Sequence, residues 1–205
     1  MSSERSVKPR VIGFTGKINS GKTSAAQYLV SEGYSEYSFA DPIKRIAEIF
    51  GFEKHQLYGT QEQKLEVNTH WKVSGRRFLQ RFGTDVCRDA LPMLMPELGL
   101  QESESLWIRL WQIEMQRYPE RLYVISDVRY PDEAEAIRRL GGLIIRLTCT
   151  LPERTGSTIG RDSSVHAHAS EQMQSQIQAH HEINTDGSVQ ELYAHLDTLI
   201  GAANV

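Results

Sequence analysis

Two cysteines, Cys87 and Cys149, are all the sulfur this chain has for cross-linking. That is too few for a disulfide framework, and no C-x-x-C spacing suggests zinc. Both thiols are expected to be buried and reduced, as in a cytosolic protein. No apolar run approaches the roughly 18 residues of a membrane helix. Residues 1–10 are polar, without the apolar core of a signal peptide. Net charge is only −3, so no global field recruits nucleic acid or an anionic membrane, although a locally basic cleft remains compatible. Internal repeats and low-complexity tracts are lacking too. These absences point to the cytoplasm, with no membrane and no nucleic-acid partner.

What is present fits one α/β domain. The 205 residues are 40% hydrophobic and 24% charged, enough to bury a real core. The sharpest pattern lies near the start, where Gly16 to Thr23 reads G-x-x-x-x-G-K-[ST] after the apolar run Val11-Ile12-Gly13-Phe14. This is the phosphate-binding P-loop. Its glycines allow the tight turn that points successive N–H groups at phosphate oxygens. Lys22 reaches the β- and γ-phosphates, the Thr23 hydroxyl suits Mg²⁺, and the helix opening at Lys22 adds its positive end. Gly16, Lys17, Asn19, Ser20, Gly21, Lys22, Thr23 and Ser24 are therefore the candidate nucleotide-binding residues.

Further along, Arg10 to Thr15 is expected as a first strand, Lys22 to Glu32 as a helix stopped at Gly33, and Tyr34 to Ala40 as a second strand. Asp41 and Pro42 open the next helix as N-cap and first helical residue, and Gly51 closes it. Asp41 is either only that cap or also a residue lining a site at the sheet's carboxyl edge. Residues 53–71 are polar and read as an excursion over the active site or the surface. From Lys72 to Leu91 the apolar residues Phe78, Leu79, Phe82 and Val86 recur at helical spacing. Arg77, Gln80, Arg81, Thr84 and Arg88 share another stripe of that helix, suited to an anionic substrate bearing a base. A simply solvated arginine face is the plainer alternative. Residues 92–99 are a break, and Glu104 to Tyr118 is a helix whose Trp107 and Trp111 read as core.

A second strong signal is Leu122-Tyr123-Val124-Ile125-Ser126-Asp127-Val128-Arg129. It reads as a buried parallel strand ending in Asp127, which is placed to serve Mg²⁺ and its waters. Arg129 can clamp a phosphate bidentately, a surface ion pair with Asp127 being the alternative. Helix 133–140 and strand Leu143 to Thr148 follow. Residues 151–169 are long, polar and aperiodic, the pattern of a lid, with Arg154 and Arg161 able to close over phosphates. His166 and His168 there lack a third ligand for zinc. A helix from Ser170 to Ile177, a fifth strand from His180 to Thr185 and a helix from Val189 to Ile200 complete a doubly wound parallel sheet.

With these motifs placed, the chain resembles the deoxynucleoside monophosphate kinases of tailed bacteriophages and related viruses, within the nucleoside monophosphate kinase group. The resemblance rests on Gly16 to Thr23, Phe39-Ala40-Asp41-Pro42-Ile43-Lys44, Arg77-x-Leu79-Gln80-x-x-Gly83-Thr84-Asp85, Ser126-Asp127-Val128-Arg129, His168-Ala169-Ser170-Glu171, and Ile183-Asn184-x-Asp186-Gly187-Ser188. It implies a three-layer α/β/α fold with sheet order 2-3-1-4-5, an acceptor-binding helical insertion over about 41–118 and a lid over about 151–169, all in one domain of residues 1–205. The implied reaction passes the γ-phosphoryl group of ATP, with Mg²⁺ on Thr23 and Asp127, to a deoxynucleoside monophosphate. Lys22, Asp127, Arg129, Arg154 and Arg161 would be catalytic. Asp41, Lys44, Arg77, Gln80, Thr84, Arg88, Arg129 and Glu171 would hold the acceptor, while Asn184 and Gly187 border the ATP adenine. The resemblance leaves assembly into a homodimer open and places the enzyme in the cytoplasm, the host's where the chain is viral. Dephospho-coenzyme A kinase, or another small-molecule P-loop kinase of the same architecture, is the nearest rival. A nucleotide switch fits less well, since no Asn-Lys-x-Asp guanine-reading element is present.

Overall fold

Five strands form one parallel sheet in the computed structural model, which describes residues 8–100, 104–151 and 173–202. The strands are β1 (Val11–Thr15), β2 (Ser35–Tyr37), β3 (Tyr123–Ile125), β4 (Leu143–Thr148) and β5 (His181–Asn184), in spatial order β2-β3-β1-β4-β5. β1 and β3 are buried at every residue, as a parallel sheet covered on both faces requires. Register is set by pairs such as Ile12↔Val124 and Phe14↔Ile145. The expected sheet order and parallel sense are thus both present.

The described residues divide into two compact units, one within the span 1–38 and 115–205, the other within 39–114. The first holds the sheet with α1 (Lys22–Ser31), α8 (Pro131–Arg139) and α9 (Val189–Ala202). Its core packs Ile12, Phe14, Leu29, Val124, Ile145, Leu147, Leu192 and Leu196. At the sheet edge, β5 is tied down just before it starts. The His180 N–H donates to the Ile144 carbonyl at 2.8 Å, and the Ile144 N–H donates to His180 Nδ1 at 2.8 Å.

The second unit is helical: α2 (Asp41–Ile49), α3 (Lys54–Tyr58), α4 (Gln61–Leu65), α5 (Gly75–Gln80), a π-helix (Arg81–Ala90), α6 (Leu91–Leu94), and most of α7 (Leu106–Arg117). Ala47, Phe52 and Leu57 form a buried cluster on which Val73, Phe78 and Leu79 pack. Trp107 and Trp111 are core residues, as expected, and Trp111 meets Phe39 edge-on at 5.7 Å.

Several expectations fail here. Residues 92–99 are not a plain break but hold the end of α6 and a 3₁₀ turn (Pro96–Leu98). Cys149 is half-buried where a buried thiol is expected. The others fail for local reasons. Residues 53–71 do not form a plain excursion. Glu53-x-x-Gln56 and Thr60-x-x-Gln63 each close a capping box and start a short helix. Asp41 is not a cap, because Ala40 already has helical backbone angles and takes the cap position. Asp41 instead sits in the first turn, where its charge complements the helix dipole. Finally, Val86 is 42% exposed, while Gly83 and Cys87 are buried. The π-helix carries more residues per turn than the α-helix, so its buried face lags one residue behind α-helical spacing.

Candidate active site

Strand β1 delivers the P-loop to the carboxyl edge of the sheet. Gly16 has φ 141°, and an added Cβ there would lie 2.2 Å from the Leu147 carbonyl oxygen. Only glycine fits. Asn19 and Gly21 also have positive φ, 62° and 89°, the first tolerated by asparagine and the second suited to glycine. Gly21 precedes α1 without any side-chain cap, which leaves the first N–H groups of the helix for an anion. Lys17, Ile18 and Asn19 are exposed at the loop tip, Thr23 is exposed in the first helical turn, and Ser24 is half-buried.

Lys22 curls back over the loop. Its Nζ donates to the Gly16 carbonyl at 2.6 Å and the Lys17 carbonyl at 2.5 Å, with Ser20 Oγ at 3.4 Å. Burial pushes its pKa down to about 8, Arg129 nearby pushes the same way, and Asp127 opposes both. The structure therefore brings Lys22, Asp127 and Arg129 within electrostatic reach of one another. Asp127 Oδ2 accepts from Ser38 Oγ at 2.8 Å. The Arg129 and Tyr130 N–H groups both donate to Glu133 Oε2, at 2.8 and 3.1 Å, so the buried Glu133 fixes the backbone from which Arg129 projects.

On the other side of β1, Thr185 Oγ1 lies within hydrogen-bond distance of the Ser20 carbonyl (3.1 Å) and the Thr148 carbonyl (3.0 Å). This ties the turn after β5 to the P-loop. Asn184 and Gly187 flank it and are exposed. The Asp186 carboxylate accepts from Thr150 N and Oγ1 at 2.7 and 2.6 Å and from Asn184 Nδ2 at 3.0 Å. These bonds, Thr150's hydroxyl first, hold its pKa well below the usual carboxylate range.

The second unit carries the remaining candidates. Lys44 Nζ lies 3.3 Å from Asp41 Oδ1 and 4.8 Å from the centre of the Tyr58 ring. Arg77, exposed, and Gln80, half-buried, stand on α5, whose N-terminus is capped by Ser74 Oγ accepting from Arg77 N. Thr84 and Arg88, both half-buried, stand on the π-helix. Arg81 Nη1 pairs with Asp85 Oδ2 at 2.6 Å, one turn further along. Arg154, Arg161, Glu171, His166 and His168 lie outside the described residues.

Sequence reasoning missed Ser38, Glu133, Gln174 and Thr185. Glu133 had a local signal, an acid at the third position of a helix that opens with Pro131. The others act across the chain, as Gln174 does on Gly16 across 158 positions, and no window of sequence shows that.

A parallel sheet of this order, with a P-loop leaving its central strand and an Asp-x-Arg at the tip of the next, defines a P-loop kinase. A crystal structure of TT1252 from Thermus thermophilus has the same fold, with TM-score 0.51 and 20% identity, covering 96% of this chain and 98% of that one. No family model matches the chain. A protein of Acanthamoeba polyphaga mimivirus named "Putative deoxynucleotide monophosphate kinase" is 43% identical over 142 residues, 67% of this chain and 72% of that protein. The chain belongs to the deoxynucleotide monophosphate kinase family, and it is a nucleotide monophosphate kinase.

Proposed function

We propose that the enzyme transfers the γ-phosphoryl group of ATP to the 5′-phosphate of a deoxynucleoside monophosphate, giving the diphosphate and ADP. The observation that carries this reading is the convergence of Lys22, Asp127 and Arg129 beside the P-loop. A cation that can follow the leaving charge, a carboxylate and a phosphate-clamping guanidinium stand together there. The mimivirus relative's name supports the acceptor class.

An acceptor phosphate oxygen attacks the γ-phosphorus as the bond to the β–γ bridging oxygen breaks. The nucleophile is already anionic, so alignment and charge neutralisation do the catalysis. The P-loop N–H groups cradle the phosphates of ATP, Lys22 stays with the γ-phosphoryl group, and Arg129 grips the acceptor phosphate. Thr23 and Asp127, one hydroxyl and one carboxylate, fit Mg²⁺, which takes few protein ligands and shares the phosphates and water. When bound, that ion neutralises phosphate charge. Residues 39–114 supply the acceptor side through Asp41, Lys44, Arg77, Gln80, Thr84 and Arg88. Asn184 and Gly187 border the adenine of ATP, and Glu171, Arg154 and Arg161 complete the set, the arginines meeting the phosphoryl group in transfer.

The test is ADP release with a panel of deoxynucleoside monophosphates, ribonucleoside monophosphates and dephospho-coenzyme A. Turnover with one or more of the deoxynucleotides is expected. Activity on dephospho-coenzyme A alone, or ATP hydrolysis indifferent to every acceptor, overturns the reading.

A further inference from the structure

Gln174 belongs to none of the motifs read from the sequence, yet its side chain reaches the backbone of the donor site. Its Nε2 donates to the Gly16 carbonyl at 3.0 Å and to the Val128 carbonyl at 3.5 Å. Both acceptors are carbonyls, which fixes the amide orientation with the NH₂ group facing them. Gly16 and Val128 are buried residues, and the hydrogen bonds to their carbonyls are partly buried, so losing a protein donor there is costlier than at an open surface. Gly16 opens the P-loop, and Val128 separates Asp127 from Arg129.

The Gly16 carbonyl is also where Lys22 docks, at 2.6 Å. A carbonyl oxygen has two lone pairs, and here Lys22 and Gln174 take one each. When Lys22 turns toward phosphate, Gln174 still satisfies that buried oxygen. Without Gln174, Lys22 would be its remaining side-chain donor, and leaving it would strip a partly buried acceptor of that donor.

The segment bearing Gln174 is itself held from β4 and α8. Arg146 reaches the Ile177 carbonyl and lies 3.5 Å from the Gln174 carbonyl, with its Nε 3.1 Å from Glu182. Arg138 donates to the Gln178 carbonyl.

We infer that Gln174 is a positioning residue of the donor site, bridging the P-loop to the Asp127–Arg129 turn and freeing Lys22 to move onto the phosphates of ATP. This rests on the reading of Lys22 as the phosphate-binding lysine.

The test is Gln174→Met, which keeps the length and bulk of the side chain and removes both N–H donors. Binding of ATP is measured for the wild type, Q174M, K22M and the double variant, with thermal melts as a control on folding. Q174M is expected to weaken ATP about tenfold, the scale of losing one or two such bonds. In the K22M background the same substitution should cost less than about twofold, because its effect passes through Lys22. Gln174→Glu, which keeps the shape but donates nothing and sets a carboxylate against two carbonyls, should match or exceed the loss and serves if Q174M fails to fold. ATP affinity of Q174M and Q174E equal to wild type overturns the inference. So does a full tenfold loss that persists in K22M, which would mark a purely structural role. Failure of the wild type to bind ATP overturns the underlying reading of the site instead, and K22M binding as tightly as the wild type does the same.

Discussion

The Lys22 ammonium is pulled two ways. Burial and the neighbouring Arg129 push its pKa down to about 8, while Asp127 holds the proton on. The protonated form is the one that binds phosphate, and it is the minority form above that pH. Since kcat/KM for ATP reports ionisations of the free enzyme, it is expected to fall above about pH 8. Arg129→Met removes a repelling charge, raises the lysine pKa and moves this alkaline limb to higher pH. Asp127→Asn removes the attracting charge and moves it lower. Profiles of kcat/KM for ATP across that range check the signs, and a limb that stays in place in R129M contradicts the assignment. At this scale the sequence was most informative where chemistry is local. Gly16, Gly21, Lys22 and Thr23 follow from what a phosphate demands of consecutive residues. Ser38, Thr185 and Gln174 were invisible because each serves a group far away along the chain, and a serine, threonine or glutamine alone carries no sign of its partner.

Elements were legible where burial dictates period. Strands β1 and β4 came out within a residue of expectation, since β1 is buried at every position and β4 opens on the apolar run Leu143-Ile144-Ile145. The helix after Ser74 was not, because α-helical spacing assumes an α-helix. From Arg81 the backbone widens into a π-helix, and burial moves from Val86 to Gly83 and Cys87. The wider turn is stabilised from outside. Trp107 Nε1 donates to the Gly83 carbonyl at 3.1 Å, a bond that the glycine's carbonyl can accept whatever its side chain. A Cβ at Gly83 would meet Ile43 Cγ1 at 3.5 Å and Trp107 Cζ2 at 4.0 Å, which is ordinary contact. Gly83→Ala is therefore expected to stabilise the fold by about 0.5–1 kcal/mol, through a less floppy unfolded chain and better helix propensity. Urea denaturation of G83A measures it. Destabilisation by a similar amount would mean that the π-helix cannot accept even a methyl group on that face.

Across the whole molecule, the two units are built to different standards. The sheet unit has β1 hydrogen-bonded on both sides, by β3 and β4, around a core of fully buried side chains. The 39–114 unit relies on short helices. α3 and α4 have five residues each and α5 has six, lengths that are marginal without tertiary packing. It also leaves Ile49, Val67, Met93 and Leu94 largely exposed. Local opening should therefore be easier there. In native-state hydrogen exchange, amides of β1, β3 and β4 are expected to exchange last. Amides of α3, α4 and α5 should exchange at least about tenfold faster, an opening free energy lower by about 1.4 kcal/mol. The same experiment separates the substrates. ATP alone should slow exchange at the P-loop and the start of α1. A deoxynucleoside monophosphate alone should slow it in 39–114, around Arg77, Gln80 and Arg88, because ligand binding stabilises what it touches. Uniform protection in the free enzyme would contradict the difference between the units. Acceptor protection confined to the sheet unit would move the acceptor site off the α5 and π-helix residues altogether.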